Sequence, residues 1–187
     1  MGAGRDKAFE PVDGVAAMVA VGRQIAAAAP TLVIVGTAGR SLPPLDDGWI
    51  RVDDPAEEGP LRGIHTGLQA LAERGVELAY VGACDAITMT TAHVAFVLDA
   101  LAEDADLEAV VPRQADGTPS PLHAAMKVQP ALAATRELLE AGRRAAQALA
   151  ERLSTRFVDA AALPDPDALL PANTPEQWAH AEKVRHR

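Results

Sequence analysis

Two charged side chains stand where this chain could handle a phosphate. Asp85 closes the stretch Glu77-Leu-Ala-Tyr-Val-Gly-Ala-Cys-Asp85, a short apolar run bounded by Gly75 before it and Thr88 to Thr91 after it. Such a run reads as a buried strand of a parallel sheet, and open α/β sheets bind ligands beyond the carboxyl ends of their strands. Asp85 is therefore either a carboxylate for a phosphate-bound metal or the cap of a strand end. Lys7 lies in the opening Met1-Gly-Ala-Gly-Arg-Asp-Lys-Ala8. Glycines let a backbone approach phosphate closely, and a lysine beside them adds a point charge. The spacing is not a Walker P-loop, and a frayed terminus is the reading the segment favours on its own.

Other chemistry-bearing residues carry blander readings. Gly63 and Gly67, four apart on an expected helix, allow close approach of either a ligand or a neighbouring strand. Cys84 reads as a small buried hydrophobe, since no histidine can be placed beside it to make it a nucleophile. His65 and His123 lack metal-ligand spacing and read as structural. His180, His186 and Arg187 fall in a polar terminal helix and its tail, and Arg143-Arg144 reads as a charge pair at the start of a helix.

The elements that position these residues follow from periodicity and breakers. Pro11 to Gly14 makes a turn, and Val15 to Ala29 a helix closed by Pro30. Thr31 to Gly36 is a second buried strand with a loop, Thr37 to Pro44, at its carboxyl end. Trp49 to Val52 is a shorter strand ended by Asp53-Asp54-Pro55. In Glu57-Glu-Gly-Pro-Leu-Arg-Gly-Ile-His-Thr-Gly67, Gly59-Pro60 opens a helix whose buried face carries Leu61, Ile64, Leu68 and Leu71. Thr91 to Leu101 forms a helix capped by Thr90 or Thr91, and Glu108 to Pro112 a strand. Leu122 to Lys127 is a strand at the sheet's edge or returning antiparallel. Pro130 to Ala141 and Arg143 to Leu153 are helices broken at Gly142, and Thr155 to Val158 is a last strand. Asn173-Thr-Pro-Glu starts a final helix, with Thr174 as cap and Pro175 in the first position. The alternation predicts an α/β, doubly wound, mostly parallel sheet with helices on both faces.

Composition bounds the rest. The 187 residues suit one domain spanning 1–187, and 49% are apolar, enough for a folded core. A net charge of −9 argues against nucleic acid or an anionic membrane as the main partner, while leaving room for a small phosphorylated ligand. The one cysteine excludes an internal disulfide and fits a reducing cytoplasm. Neither a signal peptide nor an apolar run of about 18 residues is found.

Several separated segments together resemble the molybdenum cofactor guanylyltransferases, within the wider nucleotidyltransferases of Rossmann-like, three-layer fold. They are Asp6-Lys7-Ala8 with Pro11-Val-Asp-Gly14, the strand Leu32 to Gly36, Gly59-Pro-Leu-Arg-Gly-Ile64, Cys84-Asp85, Pro121-Leu-His-Ala124 and Asn173-Thr-Pro-Glu176. Their order runs the length of the chain. The resemblance implies transfer of GMP from GTP to molybdopterin, with release of pyrophosphate in the presence of Mg2+. It implies that Lys7 contacts nucleotide phosphate and that Asp85 ligates Mg2+. Gly59, Pro60, Leu61 and Gly63 would line the guanine side, Asp53 or Asp54 would stand near the nucleotide, and Asn173 near the pterin. Implied partners are the small molecules GTP and molybdopterin and proteins of molybdoenzyme maturation, with the chain a monomer or small homo-oligomer.

Phosphoryl transfer asks for positioning and charge neutralisation rather than covalent help, and a hard carboxylate suits Mg2+. The sequence departs from the family's pattern at Ala86-Ile87 after Cys84-Asp85, at Ser120 before Pro121-Leu122, and in keeping only Asn173 of an Asn-x-Asn-Thr-Pro motif. The family's opening apolar strand and most of its Gly-rich nucleotide loop are expected to be missing, the chain starting inside or just after that loop. Two rivals follow: a sister transferase using CTP on molybdopterin or GTP on another phosphorylated acceptor, and a non-catalytic nucleotide- or pterin-binding relative.

Overall fold

The computed structural model describes residues 6–55 and 58–186. The glycines of the opening segment, Glu57 and Arg187 lie outside them. The described chain begins with a turn of 3-10 helix, Lys7–Phe9, capped by Asp6, whose side chain accepts the N–H of Ala8 at 3.0 Å. A two-residue hairpin follows, β1 (Pro11–Val12) against β2 (Val15–Ala16). Its central residues Asp13 and Gly14 have φ of 52° and 81°, the left-handed pair that a tight hairpin with the right twist requires. The expected turn is therefore there. The hairpin takes up Val15 and Ala16, so α1 spans Ala17–Ala26 rather than Val15 to Ala29.

β3 (Val33–Thr37) pairs in parallel with β4 (Ile50–Asp54), so Asp53 and Asp54 belong to the strand instead of ending it. α2 (Pro60–Ala72) starts after Gly59, whose φ of 89° turns the chain, with Pro60 in its first turn. It returns the chain to β5 (Leu78–Gly82). α3 (Thr91–Ala102) is capped by Thr90, whose hydroxyl accepts the N–H of His93. Then come β6 (Ala109–Arg113), β7 (His123–Lys127), α4 (Val128–Glu140), α5 (Gln147–Arg152), β8 (Thr155–Asp159) and α6 (Pro175–Arg185).

The second group of strands runs in the order β5-β7-β6-β8. β7 is antiparallel to both β5 and β6, while β6 and β8 are parallel. The stretch ending at Asp85 thus differs from a strand buried among parallel neighbours: among the described residues its one ladder is antiparallel, and only Ala79 of β5 is buried. The cause lies in chain length. Nine residues without a helix link β6 to β7, too few for a parallel crossover, so β7 must return antiparallel. It does so between β5 and β6, not at an edge. Arg143 and Arg144 lie in the loop between α4 and α5, not at a helix start.

Apolar clusters cover both faces of the strands. On one face Leu61 and Leu68 of α2 meet Met126, Ala131 and Leu149. On the other, Val21 and Ile25 of α1 meet Val12, Ile87 and Trp178, and α3 adds Val97 and Leu101 against Val110. Fully buried alanines at 109, 124, 125 and 131 let helices and strands approach closely. The result is a mixed α/β sandwich of helix, sheet and helix layers.

Candidate nucleotide and metal site

Asp85 sits in the turn just beyond the carboxyl end of β5, held by backbone bonds from Ala86 to Ala83 and from Met89 to Ala86. The Lys7 ammonium donates to its Oδ2 at 2.6 Å and to Asn173 Oδ1 at 2.7 Å. Residues 7, 85 and 173 are remote in sequence, yet they form one cluster. Both charged side chains keep a solvent face, with 27% and 22% of Lys7 and Asp85 exposed. An ammonium, a carboxylate and an amide opening on water at the carboxyl edge of a sheet suit an anionic ligand brought in with a cation.

Each member is placed by local structure. Lys7 is fixed by its 3-10 turn, and the Ala17 N–H donates to the Glu10 carbonyl at 2.8 Å, tying that turn to α1. Asn173 precedes a capping box. Thr174 Oγ1 accepts the Gln177 N–H, while Gln177 Oε1 accepts the N–H groups of Thr174 and Asn173. Buried Trp178 and Ala181 seat α6 in the core. Arg185 then clamps it, donating to Asp13 Oδ2 at 2.9 Å and to the carbonyl of Ile87, two residues beyond Asp85, at 2.7 Å.

The other expected site residues are placed apart from this trio. Asp53 is exposed and accepts from Arg51 at 2.8 Å, while Asp54 is buried, its carbonyl accepting the Ala38 N–H. Gly59 and Pro60 are exposed at the start of α2. Leu61 is fully buried in the core and its N–H donates to the Arg144 carbonyl. A methyl group on Gly67 would meet Val35 at a tight 3.2 Å, so this glycine serves the packing of α2 on β3, whereas one on Gly63 would sit at an ordinary 4.0 Å.

Among the described residues no group of three His, Cys, Asp or Glu side chains could hold a metal. One hard carboxylate fits Mg2+ that keeps its waters and arrives with substrate phosphates, and does not fit a preformed cage. Cys84 beside it is pushed up to about 11, by burial first and then by the charges of Asp85 and Asp6. It remains a thiol, as expected of a packed side chain.

Behind Asp85 lies a histidine pair. His123 is pushed down to about 4, chiefly by burial, with Asp85 opposing. His93 stacks edge-on to it at 6.3 Å, and its Nε2 lies 3.1 Å from the His123 carbonyl. His93 is not among the residues expected from sequence. The signal available is a lone polar residue in Ala92-His-Val-Ala-Phe-Val-Leu98, otherwise an apolar run of helix that must be buried. His65 instead meets Thr135 Oγ1 at 2.9 Å between α2 and α4, a structural contact.

A three-layer sheet of this kind, with a lysine and a carboxylate meeting at its carboxyl edge, presents the charges that a nucleotidyltransferase needs. The sequence profile of the MobA-like NTP transferase domain matches residues 1–156, and the chain belongs to that family and is a nucleotidyltransferase. Among solved structures it resembles molybdopterin-guanine dinucleotide biosynthesis protein A from Archaeoglobus fulgidus, at 22% identity and a TM-score of 0.69, covering 97% of this chain and 91% of that one. It is equally similar in fold to 2-C-methyl-D-erythritol 4-phosphate cytidylyltransferase from Thermus thermophilus, at 19% identity and a TM-score of 0.70, over 99% and 96% of the two chains. No curated protein matches the chain by sequence. Among the described residues no helix is long and apolar enough to cross a membrane.

Proposed function

We propose that this nucleotidyltransferase transfers GMP from GTP to molybdopterin. The observation that carries the reading is the meeting of Lys7, Asp85 and Asn173 at one edge of the sheet. A terminal phosphate oxygen of the pterin attacks the α-phosphorus of GTP; the bond to the β-phosphate oxygen breaks, and pyrophosphate leaves with that electron pair. The attacking phosphate is already anionic at neutral pH, so no strong general base is needed. Lys7 offsets the charge gathering on the leaving pyrophosphate. Asn173 orients the acceptor through its amide, and Asp53 or Asp54 with Gly59, Pro60 and Gly63 borders the nucleoside. Asp85 would hold Mg2+, which would supply positive charge to neutralise the phosphates of the substrate. The similarity to a molybdopterin-guanine dinucleotide protein supports the guanylyl reading, and the equal similarity to a cytidylyltransferase makes the base the point to test.

The test is calorimetric titration with GTP and with CTP, each with and without Mg2+, on the native chain and on Asp85→Asn. Mg2+-dependent GTP binding in the micromolar range, weakened about tenfold by the substitution, is the expected result. Preference for CTP moves the protein to the cytidylyl enzymes. Binding that ignores Mg2+ removes Asp85 from its role.

A further inference from the structure

The three side chains of the site stand on three separate segments. Lys7 rides on the 3-10 turn that runs through β1 into the Asp13-Gly14 hairpin, Asp85 lies in the turn after β5, and Asn173 precedes α6. The bonds from Lys7 join them only at the tips of side chains, and a lysine is a flexible stem with one point charge. A second tie joins the segments themselves, and one residue makes it.

That residue is Arg185, in the last turn of α6. Its Nε donates to Asp13 Oδ2 at 2.9 Å and its Nη1 to the Ile87 carbonyl at 2.7 Å. Asp13 is set by its hairpin, with φ of 52° and the buried Val12 before it. Ile87 is also buried, and the turn that carries it and Asp85 closes through backbone bonds of 3.1 and 3.0 Å. Trp178, Ala181 and Arg185 follow one another at helical spacing, so the face of α6 that enters the core also delivers the guanidinium. His186 Nε2 lies 3.3 Å from the other Asp13 oxygen. α6 is therefore held at both ends, by Asn173 and the capping box at one and by Arg185 at the other. Its 11 residues span about 16 Å. With the far end released, such a helix can tilt about its cap and turn Asn173 with it.

We propose that Arg185 is a positioning residue for the transfer reaction, fixing the Asp85 turn, the Lys7 hairpin and the Asn173 helix in one frame. It acts on Asp85 through the Ile87 carbonyl, on Lys7 through Asp13 and the hairpin, and on Asn173 through α6. The planar fork matters as much as the charge. Its donors point in fixed directions at a carboxylate and a carbonyl on different segments, which an ammonium cannot reproduce. Small displacements are costly at such a site, because transfer depends on holding the reacting groups in line. The effect of Arg185 on turnover rests on the proposed function, while its effect on the turn rests on the contacts alone.

The test compares the native chain with Arg185→Met, which keeps the apolar stem and loses the fork, with Arg185→Lys, and with Lys183→Met, which removes the other cation of the same last turn. Guanylyl transfer from GTP to molybdopterin is followed across a Mg2+ series, at a temperature where circular dichroism shows every variant folded. Arg185→Met is expected to lower kcat about tenfold and to raise the Mg2+ concentration at half-maximal rate. Arg185→Lys falls between, and Lys183→Met matches the native chain. A merely structural contact lowers the melting temperature and leaves both kinetic values unchanged; that result overturns the proposal, as does an equal loss in Lys183→Met. Hydrogen exchange without substrate reads the same tie. The Ala86 and Met89 amides are expected to exchange at least about tenfold faster in Arg185→Met than in the native chain and Lys183→Met, and unchanged protection overturns the proposal. Should Arg185→Met fail to fold, Arg185→Lys against Lys183→Met carries both comparisons. If the native chain transfers no nucleotide, the guanylyl reading fails alone and exchange decides the role of Arg185.

Discussion

Lys7 and Asp85, 78 residues apart, meet at 2.6 Å with the lysine ammonium where a metal cation would approach the carboxylate. On the proposed function, the lysine both serves the site and competes for it. Lys7→Met is expected to lower kcat/KM by about 100-fold through loss of charge stabilisation. The same change reduces the Mg2+ concentration needed for half-maximal rate, because Asp85 is released. The pair keeps a solvent face, so stability changes by no more than about 1 kcal/mol. Steady-state kinetics across a Mg2+ series reads both effects, and an unchanged Mg2+ requirement shows that lysine and metal do not share the carboxylate.

Asn173 is held by the cap that follows it. Thr174→Ala removes the hydroxyl that accepts the Gln177 N–H, and the expected cost is about 1 kcal/mol of unfolding free energy. Gln177→Ala removes the reciprocal half, and the double variant falls short of the sum because the two halves form one network. Urea unfolding of the four chains measures it, and strict additivity contradicts the capping box.

His123 makes stability sensitive to acid. Its folded value is pushed down to about 4 from 6.5 by burial, with a smaller contribution from His93. Below pH 6.5 the unfolded chain binds a proton that the folded chain refuses. The contribution is whole above 6.5 and is lost as pH falls towards 4. At its steepest the loss is about 1.4 kcal/mol per pH unit. Melting temperatures between about pH 7 and 4 are expected to decline less for His123→Gln than for the native chain; equal declines place the acid sensitivity elsewhere.

Cys84, raised to about 11, carries far less thiolate at mildly alkaline pH than a free cysteine. Iodoacetamide is expected to label it at least about 100-fold more slowly than a free thiol. Denaturation should restore the ordinary rate. Rapid labelling of the folded chain contradicts the buried, anion-flanked setting.

Much of this arrangement is legible from residue types. Asp13-Gly14, Gly59-Pro60 and Thr174-Pro175 each carry their conformation locally, through left-handed backbone, a fixed φ or a side-chain cap. They appear as turn, helix start and capping box, as expected. The position of β7, by contrast, stays open between edge and antiparallel return until the fold is seen, because its short run carries no sign of which neighbours it will meet. Its place between β5 and β6 is a matter of pairing at a distance. Gly67 shows the same limit. A glycine on a helix looks alike in sequence whether it faces a ligand or a strand, and only the tight contact with Val35 separates the two. His93 is silent for a related reason: a histidine inside an apolar helix announces burial without saying what it lies against.

The reach of the Lys7 cluster to Asn173 has a consequence during synthesis. The last strand, β8, ends at Asp159, so a ribosome-bound chain can complete its sheet while Asn173, the third member of the cluster, is still in the exit tunnel. Domains form as they emerge, amino-terminal parts first. The amide that steadies Lys7 therefore arrives last, and a nascent chain able to fold is not yet a chain with a finished site.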